Sequence, residues 1–227
     1  MAPTITGISS MATRQVLNEL ADRCANHTIA IEATGGVDAA KRVKAGEAFD
    51  LVILADNVIR ELEGEGHVLA GSRVAFVRSS MAVAIREGAP RPDIGDGAAL
   101  QAALMGARSV GYSTGPSGLH LLAVLKSWGL DAAADPKRFV QAKPGISVAS
   151  LVASGEAEIG IQQMSELLGE PGIDILGFVP PPVQSVTTFS IGIGARSPHV
   201  EEARAVIAYL NAAEAVETKR HAGMEPA

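Results

Sequence analysis

Short apolar runs alternate along this chain with stretches whose apolar positions recur every third or fourth residue, and glycine marks most of the joints. Thr4–Ile8 reads as a strand, and Ser10–Ala25 as a helix with Val16, Leu17 and Leu20 on one face. Thr28–Ala33 is a second strand, which Gly35-Gly36 turns into a helix over Val37–Ala45. Phe49–Ala55 is an apolar run but for Asp50, the pattern of a central parallel strand covered on both faces. Asp56–Leu62 follows as a short helix ended by Gly64 and Gly66.

Arg73–Ile85 is longer than an ordinary strand and reads as one that crosses between two lobes, with Ser79-Ser80 near the crossing. Beyond Pro90 and Pro92 a second series begins: helix Ala98–Ala107, strand Ser109–Tyr112, helix Ser117–Trp128, strand Arg138–Gln141, helix Val148–Ala153 and strand Glu158–Gln162. Ile173–Val179 leads through Pro180-Pro181-Pro182 to Val186–Ile193, a second long strand suited to run back to the first lobe. Helices Val200–Leu210 and Ala213–Arg220 finish the chain. This alternation is the mark of α/β architecture. It predicts two Rossmann-like lobes joined by two crossing strands, the first discontinuous (residues 1–80 with 190–227) and the second inserted (81–189).

Bulk properties narrow the picture. With 227 residues the chain can bury a core without a disulfide or metal staple. Hydrophobic residues make up 47% and charged residues 19%, which excludes disorder. The net charge of −6, with no block of like charges, excludes the basic stripe that nucleic acid requires. An anionic ligand must therefore be held locally, by backbone N–H groups, hydroxyls and at most an arginine. Cys24 stands alone, so no internal disulfide forms, and its spacing from Leu17 and Leu20 predicts a buried thiol. Met1-Ala2-Pro3-Thr4 leads into the first strand without the basic start and apolar stretch of a secretory leader. No run is long enough to insert into a membrane. The chain as written reads as cytoplasmic, or as periplasmic if a leader has been removed.

Three joints share one design, in which a strand ends, small or hydroxyl residues follow and a helix starts. They are Gly7-Ile8-Ser9-Ser10-Met11, Ala33-Thr34-Gly35-Gly36-Val37 and Gly111-Tyr112-Ser113-Thr114-Gly115-Pro116-Ser117-Gly118. Each exposes N–H groups at a helix N-terminus, where the macrodipole favours an anion and glycine allows close approach. Ligands of open α/β sheets bind at these carboxyl ends of strands. One joint alone is ordinary N-capping; three together point to an anion cleft. A P-loop is excluded, because no Gly-Lys-Ser/Thr follows any of them.

A fourth helix start, Pro144-Gly145-Ile146-Ser147-Val148, precedes a strand ending in Gln162-Gln163, whose amides can bond a carboxylate or satisfy loop backbone. Arg78, beside the crossing, is a candidate cation for the cleft. His27, His67, His120, His199 and His221 show no metal-ligand spacing, so neither metal nor cofactor is expected. His120, in the first turn after Ser117, is a candidate donor or base, with a capping or surface role as the alternative.

These segments resemble the molybdate-binding branch of the type 2 periplasmic-binding-protein superfamily. The likeness rests on the first strand into Ser9-Ser10, Gly36–Gly46 followed by Phe49–Asp56, Ala149–Ile161, Val186–Gly192 before Ala203–Leu210, and Gly223-Met224-Glu225-Pro226. It implies an oxyanion or carboxylate held between two lobes by Ser9 or Ser10, the Gly35-Gly36 turn, the Tyr112–Ser117 loop (Ser113, Thr114, Ser117), Ser147-Val148 and Gln162 or Gln163. Two positions depart from the family pattern. Gly35-Gly36 stands where molybdate binders carry a hydroxyl-bearing pair, and Gln162-Gln163 where they carry a tyrosine, which admits a small organic carboxylate.

Two functions follow. The first is a solute-binding protein for a small anion, with an ABC transporter as partner if the native chain is exported. The second is a cytoplasmic isomerase resembling aconitate isomerase, which shifts the double bond of an unsaturated polycarboxylate by general-base proton transfer. Its base would be His120, Tyr112 or Glu166. A cytoplasmic anion sensor is a third, lesser reading.

Overall fold

The computed structural model describes residues 3–143 and 146–227. In chain order the elements are β1 (Thr4–Ser10), α1 (Arg14–Asp22), β2 (Thr28–Thr34), α2 (Gly36–Lys44), β3 (Leu51–Ala55), α3 (Asp56–Gly64) and β4 (Val74–Arg86). There follow α4 (Gly97–Gly106), β5 (Val110–Tyr112), α5 (Pro116–Ser127), β6 (Phe139–Gln141), α6 (Val148–Ser154), β7 (Ile159–Gln163), α7 (Met164–Leu167) and β8 (Ile173–Phe178). The chain ends with β9 (Val186–Ile193), α8 (Val200–Leu210), α9 (Val216–His221) and β10 (Glu225–Pro226). It divides into two compact units, Met1–Ser79 with Thr187–Ala227, and Ser80–Val186. Both divisions fall inside strands, β4 and β9.

In the first unit the strand order is β2-β1-β3-β9-β4. β1 runs parallel to β2 with Ser10 opposite Thr34, and parallel to β3. On its other side β3 meets β9 antiparallel, so this central strand is not parallel to both neighbours. All five residues of β3 are buried, and the two-residue repeat of a strand deals them to opposite faces. Leu51 and Ile53 join Val16, Leu17 and Leu20 of α1 and Val206 and Leu210 of α8. Val52 and Leu54 join Ala39 and Val43 of α2 and Ile59 and Leu62 of α3. A continuous apolar run is what a strand with helices on both faces requires.

In the second unit β5 lies between β6 and β7, parallel to both. β7 pairs antiparallel with β4 from Met81–Gln163 to Ile85–Ile159, and β8 also pairs antiparallel with β4. The core gathers Val83 and Ile85 of β4, Leu100 and Leu104 of α4, Leu121 and Leu125 of α5, and Ile159 and Ile161 of β7.

Three expectations change. The helix after β1 starts late, because Ser10 is still extended and caps a 3-10 turn over Met11–Thr13 before α1 begins at Arg14. That helix stops at Asp22, so Cys24 falls in the turn beyond it, bonded through its N–H to the Ala21 carbonyl, and its thiol is half-buried rather than buried. The helix spacing from Leu20 no longer applies there. Gly7 is a strand residue, not part of a joint: a Cβ on it would lie 3.1 Å from Ile31 and 3.2 Å from the Leu51 carbonyl, so it lets the flanking strands close in.

Candidate functional site

In the first unit the parallel register brings the ends of β1 and β2 side by side, so Ser9-Ser10 and Thr34–Gly36 emerge at one edge of the sheet. Ser9 is fully buried, and its hydroxyl donates to the Glu32 carbonyl at 3.4 Å, which ties β1 to β2. Ser10 is the more available of the pair. Its Oγ accepts from the Ala12 N–H at 3.4 Å and lies 3.8 Å from where a Cβ on Gly36 would sit. Gly36 is the first residue of α2, and Gly35 before it offers no side-chain cap. The Ser10 hydroxyl thus stands against a helix N-terminus whose first N–H groups lack a side-chain acceptor among the described residues, the arrangement that attracts an anion. Asp38, in the same first turn, tempers it: its carboxylate comes within 3.6 Å of a Cβ on Gly35 and pairs with Lys41 at 3.8 Å.

A third strand ends at this edge, and sequence reasoning passed it over. Asp56, at the start of α3, accepts from the buried Ser190 hydroxyl and from Arg73, each at 2.6 Å, and from Arg60 at 2.9 Å. Burial pushes its carboxyl up, but Ser190, Arg73 and Arg60 together hold it below the usual aspartate value. Arg60 is a helical neighbour four residues on, but Arg73 and Ser190 come from distant parts of the chain, so no local motif signals the cluster.

In the second unit β5 delivers the hydroxyl-rich joint. The Ser113 and Ser117 hydroxyls are 3.2 Å apart, and the Gly115 N–H donates to Ser113 at 3.2 Å. Thr114 is exposed and Ser117 buried. A Cβ on Gly118 would fall 1.7 Å from the Ser113 carbonyl oxygen, so only glycine lets α5 start this close to the loop. Tyr112 is buried at the end of β5, and burial pushes its phenol up, which keeps it protonated as a donor.

The fourth helix start is tied to the end of β7. The Ser147 hydroxyl accepts from the Ser150 N–H at 3.0 Å and caps α6. The Val148 N–H donates to Oε1 of buried Gln162 at 3.2 Å, and the same amide donates through Nε2 to Glu166 at 2.8 Å. Four candidates, Ser147, Val148, Gln162 and Glu166, therefore lie along one polar seam, with Gln163 buried beside them at the end of β7. Pro144 and Gly145 of that segment lie outside the described residues. The other two candidates are engaged elsewhere. His120 donates from Nε2 to the Val183 carbonyl at 2.8 Å. Arg78 is exposed and donates to the Pro226 carbonyl at 3.1 Å.

Two α/β units joined through two long strands have the architecture of a solute-binding protein. Residues 5–225 match the model of the bacterial extracellular solute-binding proteins, and the chain belongs to that family. It is similar, at 37% identity over 187 residues (82% of this chain and 70% of the relative), to an aconitate isomerase from a Pseudomonas species. Among solved structures it resembles the periplasmic molybdate-binding protein of Azotobacter vinelandii, with a TM-score of 0.79 and 21% identity over 97% of this chain and 98% of that one. It also resembles a tungstate ABC transporter structure from Geobacter sulfurreducens, with a TM-score of 0.71 and 17% identity over 96% and 98%. At these identities the structural likeness speaks to the fold. Among the described residues no helix is long and apolar enough to cross a membrane.

Proposed function

We propose that this protein binds a small anion, with strand-to-helix joints supplying the ligand groups. The observation that carries the reading is the Ser10 hydroxyl set against the uncapped N-terminus of α2. The ligand groups are the Ser10 hydroxyl and the N–H groups after Gly35 and Gly36, with Ser113, Thr114, Ser117 and Ser147 in the second unit. All are neutral, so affinity comes from preorganised dipoles rather than from an ion pair. The Gln162 amide and the glycine turn favour a planar carboxylate over a tetrahedral oxyanion. The family and the structural neighbours support capture of a solute for an ABC transporter, in the periplasm if the native chain is exported.

Thermal shifts with molybdate, tungstate, sulfate, phosphate, citrate and the aconitates test the reading. Binding to the folded state alone adds about 2.7 kcal/mol at a hundredfold excess over Kd. A stabilising anion whose effect Ser10→Ala weakens supports it, and a flat panel overturns it.

The 37% identity to an aconitate isomerase favours a second reading, an allylic proton shift on an unsaturated polycarboxylate. Glu166 is its best base, since the Gln162 amide holds the carboxylate in place. Glu166 would take the proton from the allylic carbon, the double bond would move, and Glu166 would return the proton to the other end of the allyl system, while protonated Tyr112 donates a hydrogen bond to a substrate carboxylate. His120 spends Nε2 on the Val183 carbonyl, which leaves only Nδ1 to face a substrate. Proton NMR of trans-aconitate with the protein in D2O decides: isomerisation with deuterium uptake, lost in Glu166→Gln, makes it an enzyme, whereas binding without exchange leaves it a binding protein.

A further inference from the structure

A cavity of about 710 Å3 opens in the second unit at the sheet end where β7 begins, away from the joints where β5 and β7 finish. The end of β4, the end of α4, the start of β7 and the end of α6 bound it. Its floor is apolar, with Ile85, Ala157 and Ile159 all buried, and the uncharged part of its walls is mainly alanine and proline. No long apolar side chain fills the space, so the cavity is built into the sequence. Its volume falls within the usual range of small-molecule sites.

The polar lining is one-sided. Three guanidiniums, Arg86, Arg91 and Arg108, face a single carboxylate, Glu158, in a chain whose net charge is −6. Arg86 has neither ion pair nor side-chain hydrogen bond among the described residues, and its Nη1 comes within 3.7 Å of a Cβ placed on Gly155. Arg91 has only a long contact of 3.8 Å to Asp174. Arg108 engages Glu158 through Nε at 3.1 Å, and Glu158 is further held by the Arg108 N–H at 2.9 Å. Arginines left short of partners beside an apolar floor suit a ligand that brings both an acid group and an apolar body, because the planar fork matches a carboxylate or phosphate in two-point contact.

We infer that this cavity is a second ligand site, for a small organic anion whose apolar body lies on the Ile85–Ile159 floor and whose acid group meets Arg86 and Arg91. It is separate from the joints and owes nothing to their ligand.

Isothermal titration with 2-naphthoate, 2-naphthyl phosphate and uncharged 2-naphthamide tests it, on the native chain and on Arg86→Gln, Arg91→Gln and the double variant. The expected result is one site per chain for an acid probe, with Kd on the order of 0.1 mM. The amide binds at least ~10-fold more weakly, as does the acid to the double variant, with Arg86→Lys between native and Gln because it keeps charge but not the fork. Which acid binds tighter separates carboxylate from phosphate ligands. Ser10→Ala leaves the acid probe at full affinity, so failure here and failure of the joint site are told apart. Equal binding of acid and amide, an unchanged double variant or no saturable heat overturns the proposal. Both substituted side chains are exposed, and the circular dichroism of each variant verifies its fold.

Discussion

The joints of the two units use the same residue types to opposite ends. In the first unit, Ser10 and the glycines leave donors open: the hydroxyl makes one long bond, and α2 starts without a side-chain cap. In the second, the polar groups satisfy one another, Ser113 with Ser117 and Gly115, and Gln162 with Val148 and Glu166. Open donors cost little to recruit, since only water must leave. Donors already bonded must exchange one partner for another, and such an exchange rewards only a ligand of matching shape. On the proposed reading, the joints of the first unit serve capture and those of the second serve selection.

The largest test of this contrast is Gly118→Ala set against Gly36→Ala. In the second unit the new methyl would overlap the Ser113 carbonyl at 1.7 Å, and the loop cannot yield without moving the start of α5. A loss of about 3 kcal/mol or more is expected in urea unfolding, together with ligand binding. The same methyl on Gly36 meets only Ser10 at an ordinary 3.8 Å, so stability should change by less than about 0.5 kcal/mol. Equal effects would mean that the two joints are not differently packed.

Next comes the seam in the second unit. Gln162→Leu keeps the volume but leaves the Val148 N–H and the Glu166 carboxylate without their shared amide. A cost of about 2 kcal/mol is expected, because the Val148 N–H stays buried while its bond is lost. Gln162→Glu should cost at least as much above pH 6, since it sets a second carboxylate against Glu166. A neutral outcome for the leucine would show that water or the loop replaces the amide.

Much of the frame behind this comparison was legible. Phe49–Ala55 announced a strand buried on both faces, and the length of Arg73–Ile85 announced one that passes from one unit into the other. Joints such as Ser10 before Met11 and Gly35 before α2 were visible because a strand period stops where small residues stand. What stayed hidden was pairing over distance. Asp56 finds Arg73 and Ser190, 17 and 134 residues away, and Gln162 reaches back to Val148, so neither contact leaves a local periodicity. Elements as short as α7 and β10 carry too few residues to show a period. The arginine-rimmed cavity is made by small residues of four elements, and an absence of bulk has no motif.

Acid sharpens the contrast from the side of the first unit, where Asp50 and Asp56 brace the two ends of β3. Burial raises both carboxyls, yet hydrogen bonds from Ser197, Thr6 and His199 bring Asp50 down, and Ser190, Arg73 and Arg60 bring down Asp56. A carboxyl held below its unfolded value of 3.8 stabilises the fold at higher pH, and that contribution fades as pH falls through the folded value. Protection of the β3 amides against exchange should therefore fall below about pH 4, and Asp56→Asn should destabilise the fold at neutral pH and flatten the acid response. An unchanged acid profile in that variant would place the bracing elsewhere.

The smallest effect is the most diagnostic. Ser10→Ala removes one hydroxyl that makes a single 3.4 Å bond, so stability should fall by no more than about 0.5 kcal/mol, while anion affinity drops roughly fivefold, about 1 kcal/mol. Ser117→Ala in the second unit removes a buried hydroxyl bonded to Ser113, and there affinity and stability should fall together. Titration calorimetry beside urea unfolding separates the two signatures. If Ser10→Ala loses stability as Ser117→Ala does, its hydroxyl serves the cap of the 3-10 turn rather than the ligand. Affinity lost alone identifies Ser10 as a donor held open for the anion, and the division between capture and selection then stands on a single oxygen atom.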